Sequence, residues 1–223
     1  MLIDSFTSPP LPTAFKYLLD DGTPALIRPV YPEDLPRLRA GMESLLRLPH
    51  RRRTVAGFEQ LSDEEFGQLM LPDQKTQVIW GALNLDKPEE PGIGVARFAV
   101  IPGEPAAADV AIAIGEAYRR QGAGQVLHAC LHLTARLYGI KRFYYDVHAD
   151  NQRFIRLLHA LGARQEGIAN HIERLSLPVY QRAVSVPSAN PLGMRFADVF
   201  RRLHRAEPMP VEDFVLPLAG QKA

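Results

Sequence analysis

The sequence lacks several features that would mark particular classes of protein. Cysteine occurs once among its 223 residues, as Cys130, so the chain cannot form an internal disulfide. No apolar run approaches the roughly 20 residues that a membrane-spanning helix needs. The 26 basic and 25 acidic residues leave a net charge of +1, too little to attract nucleic acid or anionic lipid. These absences predict a cytoplasmic protein with neither a membrane nor a nucleic-acid partner.

The chain also lacks a fixed-period repeat, which argues against a solenoid or a propeller. What it has is an apolar fraction of 46%, enough for one well-buried core, and a regular alternation of strand and helix patterns. Strands are predicted near 24–30, 76–84, 92–101, 107–115 and 141–149, with one or two more in 163–178. Helices are predicted to begin near Pro32, Ser62, Gly122 and Asn151. This order predicts an α/β fold with a mixed, mostly antiparallel twisted sheet flanked by helices.

Proline becomes frequent after Pro178, and one amphipathic helix pattern survives there. Its apolar members are Phe196, Val199, Phe200 and Leu203. An isolated helix cannot bury such a stripe, so we expect it to dock on its own domain or on a second subunit in a homodimer. The chain therefore divides into an N-terminal arm at 1–22, one domain at 23–178 and a C-terminal tail at 179–223.

A six-residue turn, RRQGAG at 119–124, joins a predicted strand to a predicted helix. Gly122 and Gly124 allow positive φ angles and a close backbone approach, so successive N–H groups can converge on one anion. The helix dipole adds partial positive charge there, and Arg119 and Arg120 can add charge-assisted hydrogen bonds. Glycines that merely permit the turn are the alternative, but the combination favours a bound pyrophosphate. Neither GxGxxG nor GxxxxGK[ST] is present, which argues against a Rossmann site and a P-loop.

These residues resemble the acetyl-CoA loop of the GNAT acyltransferases, which reads (Arg/Gln)-x-x-Gly-x-(Gly/Ala) between the fourth strand and the third helix of that fold. Arg119, Gly122 and Gly124 match this pattern. The family also opens its next helix with Asn and places Gly eleven positions later, as Asn151 and Gly162 stand here. The resemblance covers roughly residues 24 to 178. It implies a single GNAT domain that takes acetyl-CoA as co-substrate and a primary amine, on a protein lysine or a small molecule, as acceptor.

Within the family, the segments ALIRPVYPEDLPRLRAGMESL and LSDEEF are similar to bacterial protein lysine acetyltransferases. Those relatives carry an acidic residue, commonly Glu, that opens the fourth strand, and Asp109 occupies that position. No metal is implied. The resemblance implies acetyl-CoA contacts at Ile112, Ala113, Ile114, Arg119, Arg120, Gln121, Gly122, Ala123, Gly124 and Asn151.

Acyl transfer requires a neutral amine, and a lysine with a pKa near 10.4 is neutral only about once in 2,500 at pH 7. A carboxylate near the acceptor can take the proton, directly or through water. Strand alternation places Asp109, Ala111 and Ala113 on one face, where a substrate can approach. We therefore predict Asp109 as the catalytic base, with a solvent-exposed strand end as the alternative. Weaker candidates are Glu116, Asp146 and His148.

GNAT enzymes often use a Tyr seven residues after the helix-opening Asn to protonate the departing thiolate, but this chain has Leu158 there. The role then falls to water or to another residue, with Tyr118, Tyr144 and Tyr145 as candidates. The family polarises the thioester carbonyl with a backbone N–H of the fourth strand, which the resemblance places around 112–114. The missing Tyr leaves a catalytically silent acyl-CoA-binding or regulatory module as the alternative function.

Other features do not predict a site. His128 and His132 lie four residues apart on one helix, but no acidic third ligand is nearby, so we expect both on the helix surface and no metal. The basic run at 50–53 predicts a solvated loop, with an acidic substrate or the 3′-phosphate of CoA as an alternative contact. Cys130 and Trp80 are interpreted as packing residues.

Overall fold

The structure is a computed structural model that describes residues 14–46, 62–70 and 76–206. Across these ranges, five α-helices flank one eight-stranded sheet. The strands are β1 (Phe15–Leu18), β2 (Pro24–Pro29), β3 (Gln77–Asn84), β4 (Gly94–Ile101), β5 (Glu104–Ile114), β6 (Arg142–His148), β7 (Arg164–Ala169) and β8 (Ile172–Pro178). The helices are α1 (Leu35–Leu46), α2 (Asp63–Met70), α3 (Ala123–Leu137), α4 (Gln152–Ala160) and α5 (Pro191–Arg205).

The strands follow the order β1-β2-β3-β4-β5-β6-β8-β7. Every neighbouring pair is antiparallel except β5 and β6, which run parallel. The predicted α/β class and the mixed, mostly antiparallel sheet are therefore confirmed. Strand β1 lies within the segment that the sequence assigns to an N-terminal arm, and it pairs with β2 from Phe15 to Leu18.

The larger core lies between the sheet and helices α3 and α5. Trp80 of β3 is buried there, as predicted, and its Nε1–H donates to the Thr134 hydroxyl of α3 at 2.9 Å. A smaller core on the opposite face packs α1 and α2 against the sheet through Met42, Phe66 and Ile79. Asp109 of β5, Asp146 of β6 and Arg174 of β8 have partly exposed side chains, and the face of the sheet that bears them is the open face.

Local chemistry fixes where several helices begin and end. Ser62 and Glu65 form a reciprocal capping box at α2, in which the Glu65 backbone N–H donates to the Ser62 hydroxyl at 3.2 Å. The Asn190 side chain accepts the Gly193 N–H at 2.8 Å, and Pro191 supplies the first residue of α5. Helix α4 is followed by Gly162 with a φ of 88°, the left-handed conformation expected there.

The C-terminal helix docks on its own domain. Its stripe of Phe196, Val199, Phe200 and Leu203 is buried in the larger core, and α5 packs along α3. Two docking surfaces were predicted for this stripe, its own domain and a second subunit. The structure shows it docked on its own domain. A homodimer through the tail stays a prediction, but the stripe that motivated it is already covered.

The prediction that His128 and His132 lie on a helix surface is wrong, because both side chains are fully buried. Helix α3 is covered by the sheet on one side and by α5 on the other, so this stretch has no solvent-facing side. His128 Nε2 lies 2.6 Å from the Tyr145 hydroxyl, and His132 Nδ1 accepts the Tyr180 N–H at 3.0 Å. Cys130 is buried as predicted.

No group of three or more metal-ligating side chains occurs among the described residues. Nor does any helix within those ranges combine the length and apolar character needed to cross a membrane. The basic run at 50–53 lies outside the described residues.

The buried histidines make stability depend on pH. Burial lowers the pKa of His128 from 6.5 to about 3, and it lowers the pKa of His132 as well. As the pH falls below 6.5, the unfolded chain takes up protons that the folded chain does not, so the free energy of unfolding decreases. We expect roughly 1.4 kcal/mol of loss per pH unit for His128.

Urea unfolding between about pH 7 and pH 5 measures this slope. His128→Gln should flatten it, whereas His159→Gln, which removes an exposed ring, should leave it unchanged. Equal slopes for the wild type and the His128 variant would contradict the assignment.

Candidate active site

The two parallel strands part after a short paired stretch. Strand β5 pairs with β6 from Ala107 to Asp109 only. Beyond Asp109, β5 stays in register with β4 as far as Ile114, while β6 stays with β8 as far as His148. A gap therefore opens between β5 and β6, and its vertex lies at Asp109.

Backbone groups of β5 face this gap. The Gly115 N–H donates to the Ile93 carbonyl on the β4 side at 2.9 Å. The direction of the amide groups alternates along a strand, and the pairing from Asp109 to Ile114 has no register shift. The N–H and C=O groups of Ile112 and Ile114 therefore point into the gap.

Two helices begin at the mouth of the gap. Helix α3 follows β5 and helix α4 follows β6, and the carboxyl ends of parallel strands lie at the same edge of a sheet. The first N–H groups of each helix have no partner within the helix, and the helix dipole makes this end partly positive. The mouth of the gap is thus suited to an anion.

The turn before α3 has the predicted left-handed backbone at Gly122, whereas Gly124 lies inside α3 and has no positive φ. Arg120 has a φ of 66° and Gly122 a φ of 90°. Gly122 is the N-cap residue of α3 and has no side chain to cap the helix, while its carbonyl accepts from the N–H groups of Gln125 and Val126. The turn therefore presents uncapped backbone N–H groups at the mouth of the gap.

Arg119 carries donors that its own neighbours do not use. Its Nη1 forms an ion pair with Glu116 at 2.5 Å. Its Nε and Nη2 are buried and have no hydrogen-bond partner among the described residues, and the same holds for Gln121 Oε1. Buried polar atoms are normally bonded, so these atoms indicate a place for a polar ligand. Arg120 is exposed beside them.

At the second helix start, Asn151 is the N-cap residue of α4, but its side chain makes no capping hydrogen bond. The Asn151 amide is therefore not committed to its own helix. Leu158, seven residues later, is fully buried in the larger core. The position where GNAT enzymes often carry a Tyr is thus a packing position in this chain.

Asp109 lies at the vertex with its side chain about half exposed (51%). The predicted alternation along β5 is confirmed, because Ile112 and Ile114 pack on the larger core and Ala113 packs on the smaller one. Asp109 thus faces the opposite side of the sheet from the two isoleucines, on the open face.

A cation bridges two carboxylates on this face. Arg174 of β8 donates to Asp109 at 2.9 Å and to Asp146 at 2.8 Å. Its guanidinium lies 4.9 Å from the centroid of the Tyr144 ring. Arg174 lies 65 residues from Asp109 and outside every recognised motif, so no sequence pattern indicated it.

The three candidate tyrosines lie in different places. Tyr145 is buried against His128 in the larger core. Tyr118 lies at the far end of β5, where it donates to Glu90 and accepts from Asn84 at 2.9 Å. Burial raises the pKa of Tyr118, and the neighbouring Glu90 raises it further. Tyr144 pairs directly with Asp109 across the last parallel pair, so it is the candidate at the vertex.

The weaker acid and base candidates are scattered. Glu116 is occupied by Arg119, and His148 lies at the end of β6, 3.3 Å from Asp150. Asp146 shares Arg174 with Asp109. Only Asp146 among the three is therefore close to the vertex.

A cavity of about 70 Å³ lies under α1 and reaches Ala113 of β5 and Gly115 directly after that strand. Asp109 is four residues from Ala113, roughly 13 Å along an extended strand. In the cavity lining, Arg28 and Asp34 form a bidentate pair at 2.6 and 2.7 Å. The cavity is thus separate from the vertex.

The chain belongs to the GNAT acetyltransferases. The family described as "Acetyltransferase (GNAT) domain" matches residues 25–164. The chain is also 30% identical over 144 residues to an acetyltransferase of Pseudomonas aeruginosa, an alignment that covers 65% of this chain and 77% of the relative.

Solved structures share the fold. The GNAT domain of S. lividans PAT superposes with a TM-score of 0.63 at 24% identity, covering 74% of this chain and 96% of that domain. The PaiA N-acetyltransferase of Thermoplasma acidophilum, solved in complex with coenzyme A, superposes with a TM-score of 0.52 at 17% identity, covering 69% of this chain and 98% of that one.

The two glycines of the turn differ in whether the structure has room for a side chain. A Cβ on Gly122 would lie 3.0 Å from Asp20 Oδ2 in a backbone with a φ of 90°, whereas a Cβ on Gly124 would make an ordinary contact with Ile114 at 3.5 Å. We expect Gly122→Ala to cost roughly 1–2 kcal/mol of stability and to weaken acetyl-CoA binding, and Gly124→Ala to be tolerated. Thermal unfolding and calorimetric titration with acetyl-CoA measure both effects. Wild-type behaviour of the Gly122 variant would show that the left-handed turn is dispensable.

Proposed function

We propose that this GNAT acetyltransferase moves the acetyl group of acetyl-CoA to a primary amine, on a protein lysine or on a small molecule. The observation that carries the proposal is the gap between β5 and β6. Its wall offers free backbone groups, its mouth holds two helix N-termini, and its vertex carries a carboxylate. A thioester on a long phosphate-bearing arm fits these three features in order.

The phosphates bind at the mouth of the gap. Uncapped N–H groups in 119–124 and the α3 dipole attract the pyrophosphate, and the unpartnered Nε and Nη2 of Arg119 donate to it. Arg120 and the free amide of Asn151 add donors at the rim. The Thermoplasma neighbour, which shares the fold, was solved in complex with coenzyme A, and this supports coenzyme A as the ligand.

The pantetheine arm then runs along β5. Its amide groups pair with the backbone groups of Ile112 and Ile114 that face the gap, as an added strand would pair. Ala113 packs from the other face and keeps this wall in place. The acetyl carbonyl reaches the region of the vertex, where a backbone N–H of β5 stabilises the charge that develops on its oxygen.

At the vertex, Asp109 takes the proton that the acceptor ammonium must lose, directly or through water. The amine nitrogen attacks the thioester carbon, a C–N bond forms, and the C–S bond breaks as the tetrahedral intermediate collapses. The attacking nitrogen releases its second proton to water, so the products are a neutral amide and the CoA thiolate. Tyr144, the one candidate tyrosine at the vertex, is suited to protonate this thiolate, with water as the alternative donor.

A catalytically silent acyl-CoA-binding module is the second candidate. Two observations favour it: Arg174 engages the carboxylate of Asp109, and Leu158 offers no hydroxyl. Release of free thiol from acetyl-CoA in the presence of a panel of primary amines separates the two functions. Binding without turnover on any amine would support the silent module.

The base is tested with two matched variants. We expect Asp109→Asn to lower kcat by about a hundredfold or more while acetyl-CoA affinity stays unchanged, because proton removal is lost and the donor site is not. Asp146→Asn removes the other carboxylate on Arg174 and should reduce kcat far less. An unaltered rate for the Asp109 variant at pH 7 would exclude Asp109 as the base.

The phosphate site is tested at Arg119. We expect Arg119→Gln to raise the Kd for acetyl-CoA about tenfold, because charge-assisted hydrogen bonds to the pyrophosphate are lost. Arg164→Gln, which removes an exposed cation at the far edge of the sheet, is the control. Calorimetry gives both constants, and equal affinities would argue against a phosphate at this turn.

A further inference from the structure

The turn 119–124 has an acidic neighbour that belongs to a different part of the chain. Asp20, in the loop between β1 and β2, donates its backbone N–H to the Gln121 carbonyl at 3.0 Å. Its carboxylate lies against Gly122, since a Cβ built there would be 3.0 Å from Oδ2 and 3.3 Å from Oδ1. A negative charge thus adjoins the turn where the pyrophosphate is proposed to bind.

Such a charge is unfavourable for a phosphate ligand unless it is compensated. Two like charges a few ångströms apart repel, and the repulsion is largest where solvent is partly excluded. Arg195 of α5 compensates it, because its guanidinium forms an ion pair with Asp20 Oδ2. Arg195 is the one side chain in the described ranges that bonds this carboxylate.

Helix α5 holds Arg195 in place through a second contact with the same hairpin. Arg202, seven residues later on the same helix face, lies 4.1 Å from the centroid of the Tyr17 ring. Its Nη2 donates to the Leu18 carbonyl at 3.3 Å. The buried rings of Phe196 and Phe200 fix the helix against α3. The hairpin is therefore held between the turn and the C-terminal helix.

We propose that Arg195 is a positioning residue for acetyl-CoA, acting through Asp20. Asp20 supports the turn from its flank, and Arg195 cancels the charge that this support would otherwise place beside the pyrophosphate. The C-terminal helix, which lies beyond the family match at 25–164, thereby becomes part of the donor site. This inference rests on the proposed phosphate site at 119–124.

The test compares two donors that differ in their phosphates. Acetyl-CoA carries the pyrophosphate, and acetyl-pantetheine carries none. We expect Arg195→Gln to raise the Kd for acetyl-CoA about three- to tenfold and to leave the Kd for acetyl-pantetheine unchanged, because only a phosphate is repelled by the uncompensated Asp20. Asp20→Asn should bind acetyl-CoA at least as tightly as the wild type.

The double variant Asp20→Asn, Arg195→Gln should recover most of the lost affinity, because it removes both charges. Arg201→Gln is the matched control, since Arg201 lies on the same helix but pairs with Asp198. An equal loss for both donors, or no recovery in the double variant, would overturn the proposal and indicate a structural role.

The Arg119→Gln variant distinguishes this inference from the proposed function. Weaker acetyl-CoA binding in that variant, combined with wild-type binding in Arg195→Gln, would reject the role of Arg195 alone. Wild-type binding in both variants would reject the phosphate site itself.

Discussion

The parting of β5 and β6 after Asp109 is the constraint on which the rest of the structure depends. A strand inside a sheet normally has both edges paired, because an unpaired backbone group away from water is costly. Here β5 keeps its pairing with β4 and loses it with β6 from Val110 onward. The inner edge of the sheet therefore carries backbone groups that a ligand can satisfy.

The other elements take their places from that gap. The parallel direction of β5 and β6 puts the starts of α3 and α4 at one edge, so two partly positive helix ends flank its mouth. The vertex brings Asp109 next to Tyr144, and β8 adds Arg174 between Asp109 and Asp146. Helix α5 is connected to the turn at 119–124 by the ion pair between its Arg195 and Asp20.

Local patterns predicted much of this molecule because local chemistry determines those parts. Backbone geometry within a few residues explains the left-handed conformation of Gly122 and Gly162. It also explains why side chains alternate between the two faces of β5. The order of strand and helix patterns along the chain likewise predicted a mixed, mostly antiparallel sheet. Resemblance to the GNAT family supplied the assignment of the turn to acetyl-CoA, which residue spacing alone left open.

Contacts between distant segments were beyond that reasoning. His128 and His132 are polar residues on a helix, and burial of both depends on α5, which lies about 60 residues further along the chain. Arg174 and Asp20 sit in segments with no motif, and each reaches its partner only once the sheet and tail have assembled. From their charge alone, such residues are predicted only to lie on the surface.

Amide hydrogen exchange, followed residue by residue by NMR, tests the central claim most directly. The N–H groups of Ile112 and Ile114 face the gap, whereas that of Gly115 is already bonded to β4. On addition of coenzyme A, we expect new protection at Ile112, Ile114 and the turn amides of Gly122 to Gly124, with little change at Gly115. Binding of coenzyme A without protection at Ile112 and Ile114 would contradict this expectation.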